Sequence, residues 1–185
     1  MKYLRWTIRI FLFALVAGFL YYTLPQRDIV RVNGTNEIRT DFTGWNRIFY
    51  AQADGGNNNA VTNRDVRFIN AQTAEGRTRV YRNEDTNFGW PPYFKVNSQD
   101  LQADAQAAQR IDDAWFVVRH YGIRNQIFSI YPNALSIRQV EGPDVRLIPY
   151  FNIGVLLVLF AIYWGVSVRL RRFKERRIDP LFDGE

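Results

Sequence analysis

The chain has no cysteine and a single histidine, His120, among its 185 residues. Those two scarcities exclude disulfides, thiolate metal sites, thiol nucleophiles, iron–sulfur clusters and covalently held c-type haem. Zinc would need carboxylates, or several chains, to complete its ligands. The phosphate-cradling pattern G-x-x-x-x-G-K-[ST], the zinc-binding H-E-x-x-H and the nucleophile elbow G-x-S-x-G are also missing. No catalytic residue, cofactor or metal ligand is therefore expected.

What is present is a basic excess with an uneven distribution. The net charge is +6. Residues 25–148 hold 15 Lys/Arg and 14 Asp/Glu, a net of +1, so the two ends carry the remaining +5. Positive charge beside apolar runs is a membrane pattern, and nucleic acid is not expected as a partner.

Two such runs stand out. Thr7–Leu24 is 18 residues long with Arg9 as its one charge, close enough to the end to snorkel. Leu147–Val168 has 22 residues and no charge; at a helical rise that reaches ~33 Å, about the hydrocarbon thickness of a bilayer. Val16-Ala17-Gly18 could pass for a weak signal-peptide cleavage site, but the apolar stretch continues through Phe19, Leu20, Tyr21 and Tyr22. The reading is a transmembrane helix over 7–24 and a second over 149–168.

Lys2, Arg5 and Arg9 precede the first span, and Arg169, Arg171, Arg172, Lys174, Arg176 and Arg177 follow the second. Both termini, 1–6 and 169–185, are then expected in the cytoplasm, with 25–148 outside: the periplasm, in a bacterium. Trp6, Tyr21, Tyr22, Tyr150, Tyr163 and Trp164 suit the headgroup layer. The basic tail RLRRFKERR can also contact anionic lipid headgroups. Ala14 with Gly18, and Ala161 with Gly165, share a helical face and permit close helix packing, although spans containing Ala and Gly produce such pairs by chance.

The outer segment reads as α+β, mostly antiparallel strands with one helix. Asp28–Val32 and Asn36–Thr40 flank Asn33-Gly34, a hairpin signal. Further strands are expected at Trp45–Ala51, Asp65–Asn70, Thr78–Asn83, Trp115–Tyr121, Ile127–Tyr131 and Ala134–Gln139, with a polar loop over 54–59. Ser98 is placed to cap a helix reaching Asp112, whose Leu101, Ala105, Ala108 and Ile111 share one face. Strands, one helix, then strands is the order of an OB-like small barrel, and also of many α+β sheets.

Few residues invite a chemical role. Strand alternation puts His120 beside Phe116 and Val118, where a hydrogen-bonded structural histidine is expected. Glu84-Asp85 and Asp112-Asp113 are adjacent carboxylates, which point apart in a strand and form no dyad alone. Residues 54–59 lack the alternating acids of a calcium loop. Asn33-Gly34-Thr35 fits a glycosylation acceptor, but the turn signal explains it. Phe88, Trp90, Pro91, Pro92, Tyr93 and Phe94 are the most unusual group. They either plug the end of a barrel or form a contact surface for a partner or the membrane interface.

The runs Asp28–Val32, Asp65–Ile69 and Val80–Thr86, with Gly89–Lys95, His120-Tyr121-Gly122 and Tyr131–Ala134, resemble an uncharacterised bacterial two-span inner-membrane family catalogued as a domain of unknown function. The resemblance covers roughly residues 1–170 and rests chiefly on the WPPYF segment. It implies an inner membrane and a periplasmic domain, and carries no activity or cofactor. The expected function is a non-enzymatic accessory or assembly subunit of an inner-membrane complex, its partners being the bilayer and other membrane proteins. The alternative is a periplasmic binding or sensing module acting through a membrane partner. An enzyme would have to draw on Glu84, Asp85, Asp112, Asp113 or His120.

Overall fold

The computed structural model describes residues 2–41, 63–173 and 175–176. The expected strand Trp45–Ala51, the loop 54–59, and Lys174 and Arg177 lie outside the described residues. The chain divides into two compact units, Met1–Leu147 and Ile148–Glu185.

The first unit opens with helix α1 (Lys2–Thr23). Among the described residues five strands follow: β1 (Gln26–Asp41), β2 (Asn63–Thr73), β3 (Thr78–Arg82), β4 (Trp115–Tyr121) and β5 (Asn133–Val140). Helix α2 (Ser98–Gln109) lies between β3 and β4. The strands close into a barrel in the order β1-β2-β3-β5-β4. All pairings are antiparallel except β3 with β5, which meet in parallel at Arg82 and Asn133. This strand order, with a helix between the third and fourth strands, is that of an OB-like barrel, and closure removes the open sheet edges.

Asn33-Gly34 does not form the expected hairpin. β1 runs through it with a bulge between Val32 and Gly34. The reason is that β1 serves two neighbours. Gln26–Val30 pairs with β4, and Val30–Asp41 pairs with β2. A bulge at a glycine bends and twists the strand enough to close a small barrel.

The expected strand Ile127–Tyr131 is instead a compact turn closed by the Asn125–Ile130 bridge. Arg124 fastens it, donating to the carbonyls of Asn125 at 3.1 Å and Ile130 at 3.0 Å, and lying over the Tyr131 ring.

Inward residues of alternating strand positions form the core: Val30, Val32, Ile69, Ala71, Tyr81, Phe116, Val118 and Ala134. Leu101, Ala105 and Ala108 of α2 complete it, as their spacing predicted. Ile111 does not, because α2 stops at Gln109 and leaves it exposed. Ser98 does not cap the helix either. Asn97 holds the cap position without a side-chain bond, and Asp85 takes over from a distant segment. Its carboxylate accepts both the Ser98 amide and the Ser98 hydroxyl at 2.8 Å, which suits the positive end of a helix.

The second unit contains helix α3 (Tyr150–Phe173), with Arg171 and Arg172 in its last turn and no buried residue. Among the described residues, α1 and α3 are the two helices long and apolar enough to cross a membrane. Each extends beyond the uncharged core of its run, α1 back through Arg5 and α3 on through Arg172.

Candidate functional site

A helix leaves its last four carbonyls without partners inside the helix. In α1 these belong to Leu20, Tyr21, Tyr22 and Thr23. The Leu24 amide donates to Leu20 at 2.8 Å and the Gln26 side-chain amide to Tyr21 at 3.1 Å. The Gly122 amide donates to Tyr22 at 2.9 Å, and the Tyr93 hydroxyl donates to Thr23. Two of the four donors thus come from distant parts of the barrel. The barrel itself caps the helix.

The rings around this joint reinforce it. Tyr121 packs against both Tyr22 and Tyr93. Gly122 has a φ of +91, and a Cβ there would meet the Pro132 Cα at 3.5 Å and the Tyr22 ring at 3.6 Å. Burial pushes the Tyr93 phenol up to about 12, against a partly opposing Arg119. The phenol therefore keeps the proton that it donates to Thr23.

The two readings of the FGWPPYF segment divide along its length. Pro91 is buried and Tyr93 half-buried, both in structural positions. Trp90, joined to Pro91 by a cis peptide bond, stacks on Phe19 of α1 at 5.5 Å. Phe88, Trp90 and Phe94 are 92%, 64% and 59% exposed, and Pro92 is exposed too. Gly89 has no space for a side chain, since a Cβ would lie 2.9 Å from the Thr86 carbonyl oxygen.

Behind this segment lies a buried polar network. The Lys95 amine donates to Asn83 Oδ1 at 2.5 Å and to the Ala134 carbonyl at 2.7 Å. Asn83 donates in turn to the Ser98 carbonyl and Gln102 Oε1. Asn133 bridges β5 to the segment after β3, accepting from the Glu84 amide and donating to the Glu84 carbonyl, both at 3.0 Å. Glu84 pairs with Arg82 at 3.0 Å, both buried. Burial pushes Lys95 down to about 7; Asp85 and Glu84 oppose this and Arg82 adds to it. A neutral amine still has two N–H groups for its two acceptors.

His120 is 4% exposed and lies against Asp28, with Nε2 3.2 Å from Oδ2. Tyr81 donates to the same oxygen at 2.6 Å, and Arg79 stands 3.8 Å away. Burial alone would raise the Asp28 carboxyl. The bonds from His120 and Tyr81, with the charges of His120 and Arg79, outweigh that and hold it below its ordinary value. These groups border a cleft of about 390 Å³, which Tyr21, Arg124 and Pro132 also line. His120 Nδ1 is buried with no hydrogen-bond partner among the described residues.

The carboxylate pairs do not form a dyad. Glu84 turns to Arg82 and Asp85 to Ser98. Asp112 and Asp113 are exposed, and Asp113 binds Arg31 at 2.8 Å. Among the described residues no three His, Asp or Glu side chains gather where a metal could be held. Ala14 and Gly18 lie on α1, Ala161 and Gly165 on α3, and open space surrounds both glycines within the described residues. Arg169, Arg171, Arg172 and Arg176 are exposed. Sequence reasoning missed Lys95, Asn83, Asn133, Asp28 and Tyr81. Polar residues flanking strands look like loop residues until the fold brings them together.

The family described as protein of unknown function (DUF1523) matches residues 1–174. A protein of Haemophilus influenzae, described as uncharacterized, is 35% identical over 165 residues, which span 86% of this chain and 89% of that one. No solved structure matches.

Proposed function

The chain belongs to that family of unknown function, and from this premise we propose that it is a non-enzymatic integral membrane protein. In this reading α1 and α3 cross the bacterial inner membrane, both termini are cytoplasmic, and the barrel stands in the periplasm as an accessory or assembly subunit of an inner-membrane complex. The observation that carries the reading is the joint. With every terminal carbonyl of α1 engaged, two of them by the barrel, the barrel is held at a set height and angle above its anchor. Such an arrangement suits presenting a surface to a neighbouring membrane protein. Of the candidate reactive side chains, Glu84, Asp85, Asp113 and His120 already engage other side chains and Asp112 lies exposed on the surface, which supports a non-catalytic role. Extraction in mild detergent followed by native mass spectrometry tests this. A second polypeptide in fixed stoichiometry is expected; the chain recovered alone from cells at native abundance contradicts the proposal.

The alternative, a periplasmic binding or sensing module acting through a membrane partner, has one observation in its favour. The cleft beside Asp28 and His120 opens next to Tyr21, at the root of α1. A ligand there would touch barrel and helix together.

A further inference from the structure

We propose that the face formed by Phe88, Trp90 and Phe94 lies in the headgroup boundary of the leaflet from which α1 emerges, so that lipid covers it. This deepens the reading above and rests on α1 being a membrane span.

Trp90 supplies the depth. It stacks on Phe19 at 5.5 Å with the rings 20° from parallel. Phe19 lies four residues before the end of α1, which at a helical rise is ~6 Å inside it. A ring held against Phe19 therefore shares its level, where a span of this length meets the headgroups. Tryptophan favours that layer because its ring is apolar and its N–H polar.

The neighbouring rings have the chemistry the same layer accepts. Phe88 and Phe94 pack edge to face at 5.9 Å. Thr86–Phe94 carries no charge, and the next residue, Lys95, turns its amine inward to Asn83. Phe94 holds a φ of +50, a strained value for a bulky residue, while its ring stays exposed. In the described barrel, large exposed apolar side chains cluster in two segments. One is Phe88–Val96; the other holds Ile127 and Phe128 in the β4–β5 connection, while Ile38 and Ile111 are exposed singly elsewhere. These same two segments bond the end of α1, through Tyr93 and Gly122. Both apolar segments are thereby tied to the end of α1, which stands at the headgroup level when α1 spans the membrane.

The absence of cysteine makes the test direct. Phe88→Cys and Phe94→Cys, each spin-labelled in the full chain in phosphatidylethanolamine/phosphatidylglycerol liposomes, are compared with Glu75→Cys on the β2–β3 turn and Leu15→Cys within α1. Collision with dissolved oxygen reports lipid, and collision with a water-soluble nickel chelate reports water. The expected oxygen-to-nickel ratio at 88 and 94 is several-fold above that at 75 and below that at 15, which lies deeper in the span. Ratios at 88 and 94 equal to that at 75, with 15 oxygen-rich, overturn the lipid contact and leave the span intact. Shielding from both probes at 88 and 94 points to a second copy and also overturns it. A nickel-accessible label at 15 removes the span itself, and the proposal with it.

Discussion

Lys95 is 5% exposed, with its amine turned into the fold. In the sequence it is one cation beside an aromatic run; in the fold it is the hub joining Asn83 of the segment after β3 to Ala134 of β5. Its amine titrates near 7 when folded, against 10.5 for the ordinary group, chiefly because of burial. Between those values the unfolded chain holds more protons than the folded one, so stability rises with pH across that window. Below about 7 the folded state must keep a buried charge and the gain is gone. Lys95→Met should therefore flatten the rise in melting temperature between pH 7 and 10. It should also cost about 1–3 kcal/mol at pH 9, because Asn83 Oδ1 and the Ala134 carbonyl lose a donor. Thermal unfolding of the full chain over that pH range checks both. A slope unchanged by the substitution contradicts the buried assignment. None of this was legible in the sequence, since a lysine between a phenylalanine and a valine has no local signal for burial.

At the scale of elements, the sequence was most informative where one physical constraint acts along a continuous stretch. The apolar runs gave both long helices, and alternation gave β4 with Phe116, Val118 and His120 turned inward. It was least informative where one element answers to another. Asn33-Gly34 has the composition of a turn, yet β1 must bend around two partners and uses the glycine for a bulge. The joint depends on such pairing too, because Tyr93 and Gly122 lie far from α1 in the chain. Gly122→Ala places a side chain at a positive φ and against Tyr22 and Pro132. It should destabilise the first unit by about 1–3 kcal/mol. Tyr93→Phe removes one hydrogen bond from the same joint and should cost about 1 kcal/mol. Hydrogen exchange at Tyr22–Gln26 should rise in both variants while the β2–β3 pairing stays protected. Equal loss of protection across the barrel contradicts the assignment of these residues to the joint.

The whole molecule combines a barrel with two apolar helices, and its class was readable before its construction. A net charge concentrated at the ends, and a near-neutral middle, already set the two apolar runs apart from the segment between them. The OB-like closure was one of two readings until the parallel β3–β5 contact decided it. The central claim is that the barrel and the two ends lie on opposite sides of one membrane. Single cysteines in this cysteine-free chain test it: Ala74→Cys on the exposed β2–β3 turn, Tyr3→Cys near the start of α1, and Glu175→Cys beyond α3. A membrane-impermeant maleimide applied to intact spheroplasts should label position 74 and spare 3 and 175, which react only after lysis. Protection of position 74 in intact spheroplasts, or labelling of all three together, contradicts the account.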